Sequence, residues 1–177
     1  MKTLKLALLL MLVSCSTEKQ ALEIATELNP EKYAGTWYEI ARKPNRFEDG
    51  LEQITATYTL LENGDIEVLN QGVKNGERKQ AKGKAWIPDS KKPAALKVSF
   101  FYPFRADYQV IWHDPNYQYS LVGEPDREYL WILARKPVIS DSSYKALVNF
   151  AESKGFSCTD LILPKQSTTP TSTTNNP

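Results

Sequence analysis

Between Thr36 and Arg135 the chain breaks into eight runs in which apolar and polar residues alternate, joined mostly by stretches just long enough to turn back. No other feature narrows the fold as far. The runs fall at about 36–43, 53–61, 65–73, 77–88, 94–102, 107–113, 117–123 and 129–136. Alternation with a period of two is what a strand shows when its faces differ in burial. Asn63-Gly64 and Asn75-Gly76 supply the positive φ that two-residue hairpin turns demand. Prolines at 88, 93, 103, 115 and 125 punctuate the other junctions, outside the ladders where a missing N–H does no harm. Connections this short make each strand pair with its neighbour in sequence. The simplest closed form of such a meander is an all-β, eight-stranded antiparallel up-and-down barrel, which leaves no edge unpaired.

The last run carries a second message. Tyr129, Trp131, Leu133 and Arg135 share one face, Leu130, Ile132 and Ala134 the other, and both faces are largely apolar. A barrel strand of that kind needs a cover on the outside, and a helical pattern follows it directly. Ser140 caps that helix, Ile139 and Tyr144 staple its entry, Tyr144, Leu147, Val148 and Ala151 form its stripe, and Gly155 ends it. One C-terminal helix packed on the barrel wall is therefore expected. Alternation on the other runs points inward Ile54, Ala56 and Tyr58; Ile66, Val68 and Asn70; Ala85 and Ile87; Leu96, Val98 and Phe100; Tyr108, Val110 and Trp112; and Tyr119 with Leu121. Small residues such as Ala56 and Ala85 beside large aromatics fit a solid, interdigitated interior as well as a cavity.

The amino terminus has the form of an export signal. Lys2 and Lys5 precede an apolar run from Leu6 to Val13, well short of the about 20 residues a membrane span requires. The run closes on Leu12-Val13-Ser14-Cys15, which resembles the bacterial lipobox, where the cysteine thiol receives a diacylglycerol and the new amino terminus is acylated. The resemblance makes residues 1–14 a lipoprotein signal peptide and Cys15 the lipidated first residue of the mature chain. Two acyl chains already give stable anchoring, at roughly 0.8 kcal/mol per buried methylene. Residues 15–28, rich in acids, read as a lipid-anchored tether, 29–165 as the folded domain, and 166–177 as a disordered tail.

Several functions find no support. The net charge is +1, and no basic cluster interleaved with aromatics offers a surface for nucleic acid. With Cys15 lipidated, Cys158 has no disulfide partner and reads as a small buried apolar group. His113 is the only histidine, no serine or cysteine has a base at motif spacing, and no Cys/His set suits a metal. Neither an enzyme, a metal nor a cofactor is expected.

Ahead of the first strand stands Asn29-Pro-Glu-Lys-Tyr-Ala-Gly-Thr-Trp-Tyr-Glu-Ile-Ala-Arg42. Asn29 can cap and Pro30 open a short helical turn, and Gly35 lets the backbone bend before the strand. Downstream lie Ala106-Asp107-Tyr108, then Tyr129-Leu-Trp-Ile-Leu-Ala-Arg135, then the helix. In that order and spacing the chain resembles the lipocalins, and more narrowly the bacterial outer-membrane lipocalins and apolipoprotein D, over about Asn29 to Lys165. The resemblance implies a cavity lined by Ala56, Tyr58, Val68, Ala85, Val98, Phe100, Tyr108, Val110, Trp112 and Trp131, holding a fatty acid or a lysophospholipid-like ligand. The one long connection, Pro44 to Gln53, would fold over the mouth with Phe47 and Leu51 as a lid, while Arg42, Arg46 and Arg105 meet a carboxylate or phosphate head. Gly35, Trp37 and Arg135 would form the closed end, the guanidinium stacked on the indole. Asp107 with Tyr108 matches the second family motif, with Ala106 in place of the usual threonine. Ser16 lacks the aspartate that often signals inner-membrane retention, so the expected site is the outer membrane, lipid-anchored and facing the periplasm. A lipid-modifying enzyme on this scaffold and a structural envelope lipoprotein with a solid barrel are the alternatives, and pairing as a homodimer stays open.

Overall fold

The computed structural model describes residues 20–167, so the signal peptide, Cys15 and most of the tail lie outside the described residues. A short helix α1 (Pro30–Tyr33) precedes strands β1 (Gly35–Arg42), β2 (Glu52–Leu60), β3 (Ile66–Lys74), β4 (Glu77–Trp86), β5 (Ala95–Ser99), β6 (Ala106–His113), β7 (Tyr119–Gly123) and β8 (Leu130–Ala134), and helix α2 (Asp141–Ser153) follows. The strands close into a barrel in sequence order, β8 pairing back with β1, all antiparallel. This is the architecture that the short connections dictate. Gly64 and Gly76 take the positive φ that their hairpins require.

Two cores result. The inner one fills the barrel around Trp37, Tyr58, Ile66, Val68, Ala85, Leu96, Val110, Val122 and Leu133. The outer one lies between the wall and α2, where Leu147 and Ala151 meet Ile111, Leu121, Leu130, Ile132 and Ala134. Ser140 accepts from the Ser143 N–H and caps α2, and Gly155 takes a φ of 86° beyond its end.

Three register shifts break simple alternation, between Glu39 and Ala41, Glu52 and Thr55, and Val110 and Trp112. An extra residue in one strand turns every following side chain to the opposite face. The third shift corrects an expectation: Ile111 and Trp112 both face outward, and Trp112 packs on Phe150 of α2 with ring centroids 5.6 Å apart. Tyr119 and Leu121, expected inside, also belong to the outer core, while Val122 points in.

At the closed end, the Arg135 guanidinium lies 3.9 Å from the Trp37 ring centroid. It donates to the carbonyls of Lys32, Tyr33, Ala34, Thr36 and Tyr117, satisfying the C-terminal carbonyls of α1. Gly35, at a φ of 93°, leaves room for Nη1 at 3.4 Å from where a Cβ would stand. Asp107 is not part of this end. It starts β6 at the mouth, paired with Lys97 at 2.6 Å. The closing aspartate is Asp114, whose carboxylate accepts from the N–H groups of Asn116, Gln118 and Tyr119 and so shapes the turn that presents the Tyr117 carbonyl to Arg135.

The expected tether is also different where it is described. Residues 20–28 are docked, not free: the Ala25 N–H donates to the Val110 carbonyl, continuing beside β6 where β5 has ended, and Leu22, Ile24, Ala25 and Leu28 pack on the two cores.

Candidate ligand site in the barrel

The lumen has a polar floor. Tyr33, carried into the barrel by α1, shares hydrogen bonds with the Tyr108 and Ser120 hydroxyls at 3.1 and 3.2 Å, and Tyr58 meets Tyr108 at 2.8 Å. Burial raises the pKa of all three tyrosines above the usual phenol range, so they stay neutral donors. Below them the interior is solid, with Trp37, Ile66, Val68, Ala85, Leu96, Val110 and Leu133 all buried. Above them Ala56, Val98, Phe100 and Trp131 are only partly buried. Phe100 lies across Gly83, where a Cβ would come within 2.7 Å of the ring; only a glycine lets it fold down. The expected lining therefore divides: Val68, Ala85 and Val110 are packed floor, Tyr58 and Tyr108 belong to the hydroxyl cluster above it, Ala56, Val98, Phe100 and Trp131 are upper wall, and Trp112 lies outside the lumen.

A buried polar cluster sits on one side of the mouth. Arg42 faces Trp131 across the β1–β8 pair, and only 1% of its surface is exposed. Its Nη1 donates to Glu39 at 2.7 Å and its Nη2 to the Glu48 carbonyl at 2.7 Å, while Nε stands 3.9 Å from the Glu48 carboxylate without a hydrogen bond. Glu48 reaches in from the long loop and also accepts from Trp131 Nε1 at 2.9 Å and Asn45 Nδ2 at 2.7 Å. One guanidinium thus serves two carboxylates. Burial, reinforced by the charge of Glu48, pushes the Glu39 pKa up to about 8 against the opposing pull of Arg42. Arg42 is accordingly neutralised from within and is not a free head-group reader, unlike Arg46 and Arg105, which are exposed at the rim.

The loop between β1 and β2 is folded down by this cluster. Asn45 Oδ1 accepts from the Phe47 and Glu48 N–H groups, and Leu51 lies over Gly72 at 3.4 Å from its would-be Cβ. Arg46 covers Phe47 at 4.9 Å, and Phe47, Tyr129 and Trp131 follow one another at 6.5 and 5.8 Å, an aromatic edge from rim to lumen. Sequence reasoning missed Glu39, Glu48, Tyr33 and Ser120. Glu39 had left a trace, because it shares an inward face with Trp37, whereas Glu48 lies in a loop with no period to read.

A lipocalin-like domain model matches residues 28–166. The chain belongs to the lipocalin family. Among its relatives, the outer membrane lipoprotein Blc of Citrobacter freundii is 44% identical, covering 88% of this chain and 90% of that protein. Mouse apolipoprotein D is 34% identical, covering 79% of this chain and 78% of that protein. In shape the chain is similar to insecticyanin from Manduca sexta, with a TM-score of 0.68 at 22% identity over 82% of this chain and 85% of that one, a likeness of fold. As a lipocalin, the chain has the scaffold of a binder of hydrophobic ligands, which matches the apolar upper wall. Two surface depressions, of about 360 and 250 Å³, lie outside the lumen, beside Tyr117 and Arg135 and between Ile40, Tyr144 and Leu163.

Proposed function

We propose that the protein binds, stores or transports fatty acids, lysophospholipids or similar apolar ligands at the cell envelope. The observation that carries this reading is the difference between the two halves of the lumen: a buried floor, and an upper wall of partly buried Ala56, Val98, Phe100 and Trp131 beneath a long loop. Acyl chains enter by displacing Phe100 and Trp131, both of them only partly buried. The head group stays at the rim near Arg46 and Arg105, because Arg42 already faces Glu39 and Glu48. Asn70, on the inner face with Val68, holds a buried Oδ1 without a hydrogen bond and offers an acceptor to a ligand hydroxyl or amide. The lipobox assigns the anchor to Cys15, and relatives named as outer membrane lipoproteins favour that membrane, with the barrel on its periplasmic side.

Binding is favoured over turnover. Ser120 is engaged by Tyr33, and Cys158 packs in the outer core with its pKa raised by burial, so neither is an activated nucleophile. The packed floor, with Trp37, Ile66, Val68, Ala85, Leu96, Val110 and Leu133 buried, favours a second reading, a structural barrel with a solid interior. Soaking delipidated full-length protein in a cell lipid extract, washing it and weighing what is released separates the readings. Intact lipid retained at about one per chain is the expected result; hydrolysed lipid would point to an enzyme, and none to a solid barrel.

A further inference from the structure

The docked segment ahead of α1 runs along the barrel in a definite direction. Asn29 is held at the closed end, its N–H donating to the Tyr117 hydroxyl at 3.0 Å. Glu27 meets His113 Nε2 at 3.0 Å, and Ala25 meets Val110 midway along β6. Glu23 pairs with Lys154 beyond the end of α2, and the Gln20 carbonyl accepts from Arg127 at 2.9 Å. Arg127 belongs to the turn between β7 and β8, which lies at the mouth, and its Nε also holds the Lys154 carbonyl at 2.7 Å. The strap therefore enters at the open end of the barrel and leaves at the closed end.

Five residue-to-residue steps lead from Cys15 to Gln20, a reach of at most about 18 Å at ~3.6 Å each. That is less than the roughly 26 Å of β6 alone at ~3.3 Å per residue, so it cannot carry an anchor on Cys15 back past the closed end. The mouth is also where apolar surface is left bare. Phe101, Tyr102 and Phe104, in the loop between β5 and β6, are 75%, 95% and 76% exposed, and Phe47 on the lid is 67% exposed. The loop is braced: Ser99 Oγ donates to the Phe104 carbonyl at 2.6 Å and the Phe104 N–H to the Phe101 carbonyl at 2.8 Å, holding the rings outward. Aromatic tips on a braced loop suit the headgroup region of a bilayer, where an apolar ring body and a polar edge are both accommodated.

We propose that the open end of the barrel is a membrane-docking surface: the strap directs the mouth toward the bilayer that holds the chain's own anchor, and Phe101, Tyr102 and Phe104 dip into its headgroup layer. The ligand then passes between bilayer and lumen without crossing free water. The anchored arrangement rests on acylation of Cys15; the docking of the loop does not.

Two measurements keep these apart. In acylated full mature chain carrying Cys158→Ala and reconstituted in phosphatidylethanolamine/phosphatidylglycerol vesicles, a fluorophore on Tyr102→Cys should be quenched by nitroxide-labelled lipid, and one on Asn63→Cys, in the hairpin between β2 and β3 at the closed end, should not. Quenching at Asn63 alone, or at neither position, overturns the proposal. In unacylated Cys15→Ala mature chain, sedimentation with the same vesicles should show binding that falls at least tenfold in the Phe101→Ser/Tyr102→Ser/Phe104→Ser variant, with an unchanged circular dichroism spectrum. If the unacylated chain ignores vesicles and instead forms dimers that the triple variant dissolves, the loop's occupant is a second copy and the proposal fails.

Discussion

Glu39, Arg42 and Glu48 set a pH dependence that a single substitution exposes. The folded-state pKa of Glu39, about 8, lies above its ordinary value of 4.5, so between those limits the folded chain holds a proton that the unfolded chain has released. Stability tied to this group is full below about 4.5 and is lost as the pH climbs through 8. Urea midpoints measured from pH 5 to 9 should fall for the native chain and fall less for Glu39→Gln, which should overtake it at pH 9; parallel profiles would rule out Glu39 as the source. At the other end of the barrel, Arg135→Gln removes a cation held 3.9 Å from the Trp37 centroid and leaves α1 carbonyls short of donors. The expected loss is about 2–4 kcal/mol, from a cation–π contribution of roughly 0.5–2 and charged hydrogen bonds of roughly 1.5–3 before overlap. Ligand retention by the folded fraction should not change. The Trp37–Arg135 contact was legible because it belongs to a family pattern at both ends of the chain. The Asp114 role was not, because two aspartates on β6 and its turn each stand near a tyrosine, and only the direction of the strand tells which one reaches the closed end.

Strands are where alternation reads well and where it fails for a definite reason. Their number, order and pairing, the covering helix and its caps were all legible, since period, turn residues and connection length act locally. The bulges were not, because an extra residue leaves the composition of a strand unchanged while reversing its faces. Trp112 and Trp131 make the difference measurable. Trp112 bridges the wall to Phe150 of α2, so Trp112→Ala should destabilise toward the lower end of about 3–5 kcal/mol with ligand affinity of the folded fraction intact. Trp131→Ala removes part of the upper wall and the donor to Glu48, so it should alter which lipids are retained more than it lowers the denaturant midpoint. Similar effects on stability and binding from both would mean that the register beyond Val110 has been misread. The strap escaped the sequence for a related reason: Leu22, Ile24, Ala25 and Leu28 are too few and too mixed with acids to show a period, yet they pack where β5, starting only at Ala95 opposite Gln109, leaves the end of β6 a free edge.

The molecule as a whole is polarised along the barrel. One end is closed by α1, Arg135 and the turn at Asp114; the other carries the lid, the Arg42 cluster and bare aromatics. Between them the lining of the lumen changes from fully to partly buried, and on that gradient the lipid-binding account stands. Its most direct test is tryptophan quenching by a brominated fatty acid or lysophospholipid titrated into the full-length protein. The account predicts saturable quenching that Trp131→Phe largely removes and Trp112→Phe leaves in place. Quenching that survives Trp131→Phe and is lost with Trp112→Phe would put the lipid outside the barrel, under α2, and contradict the account.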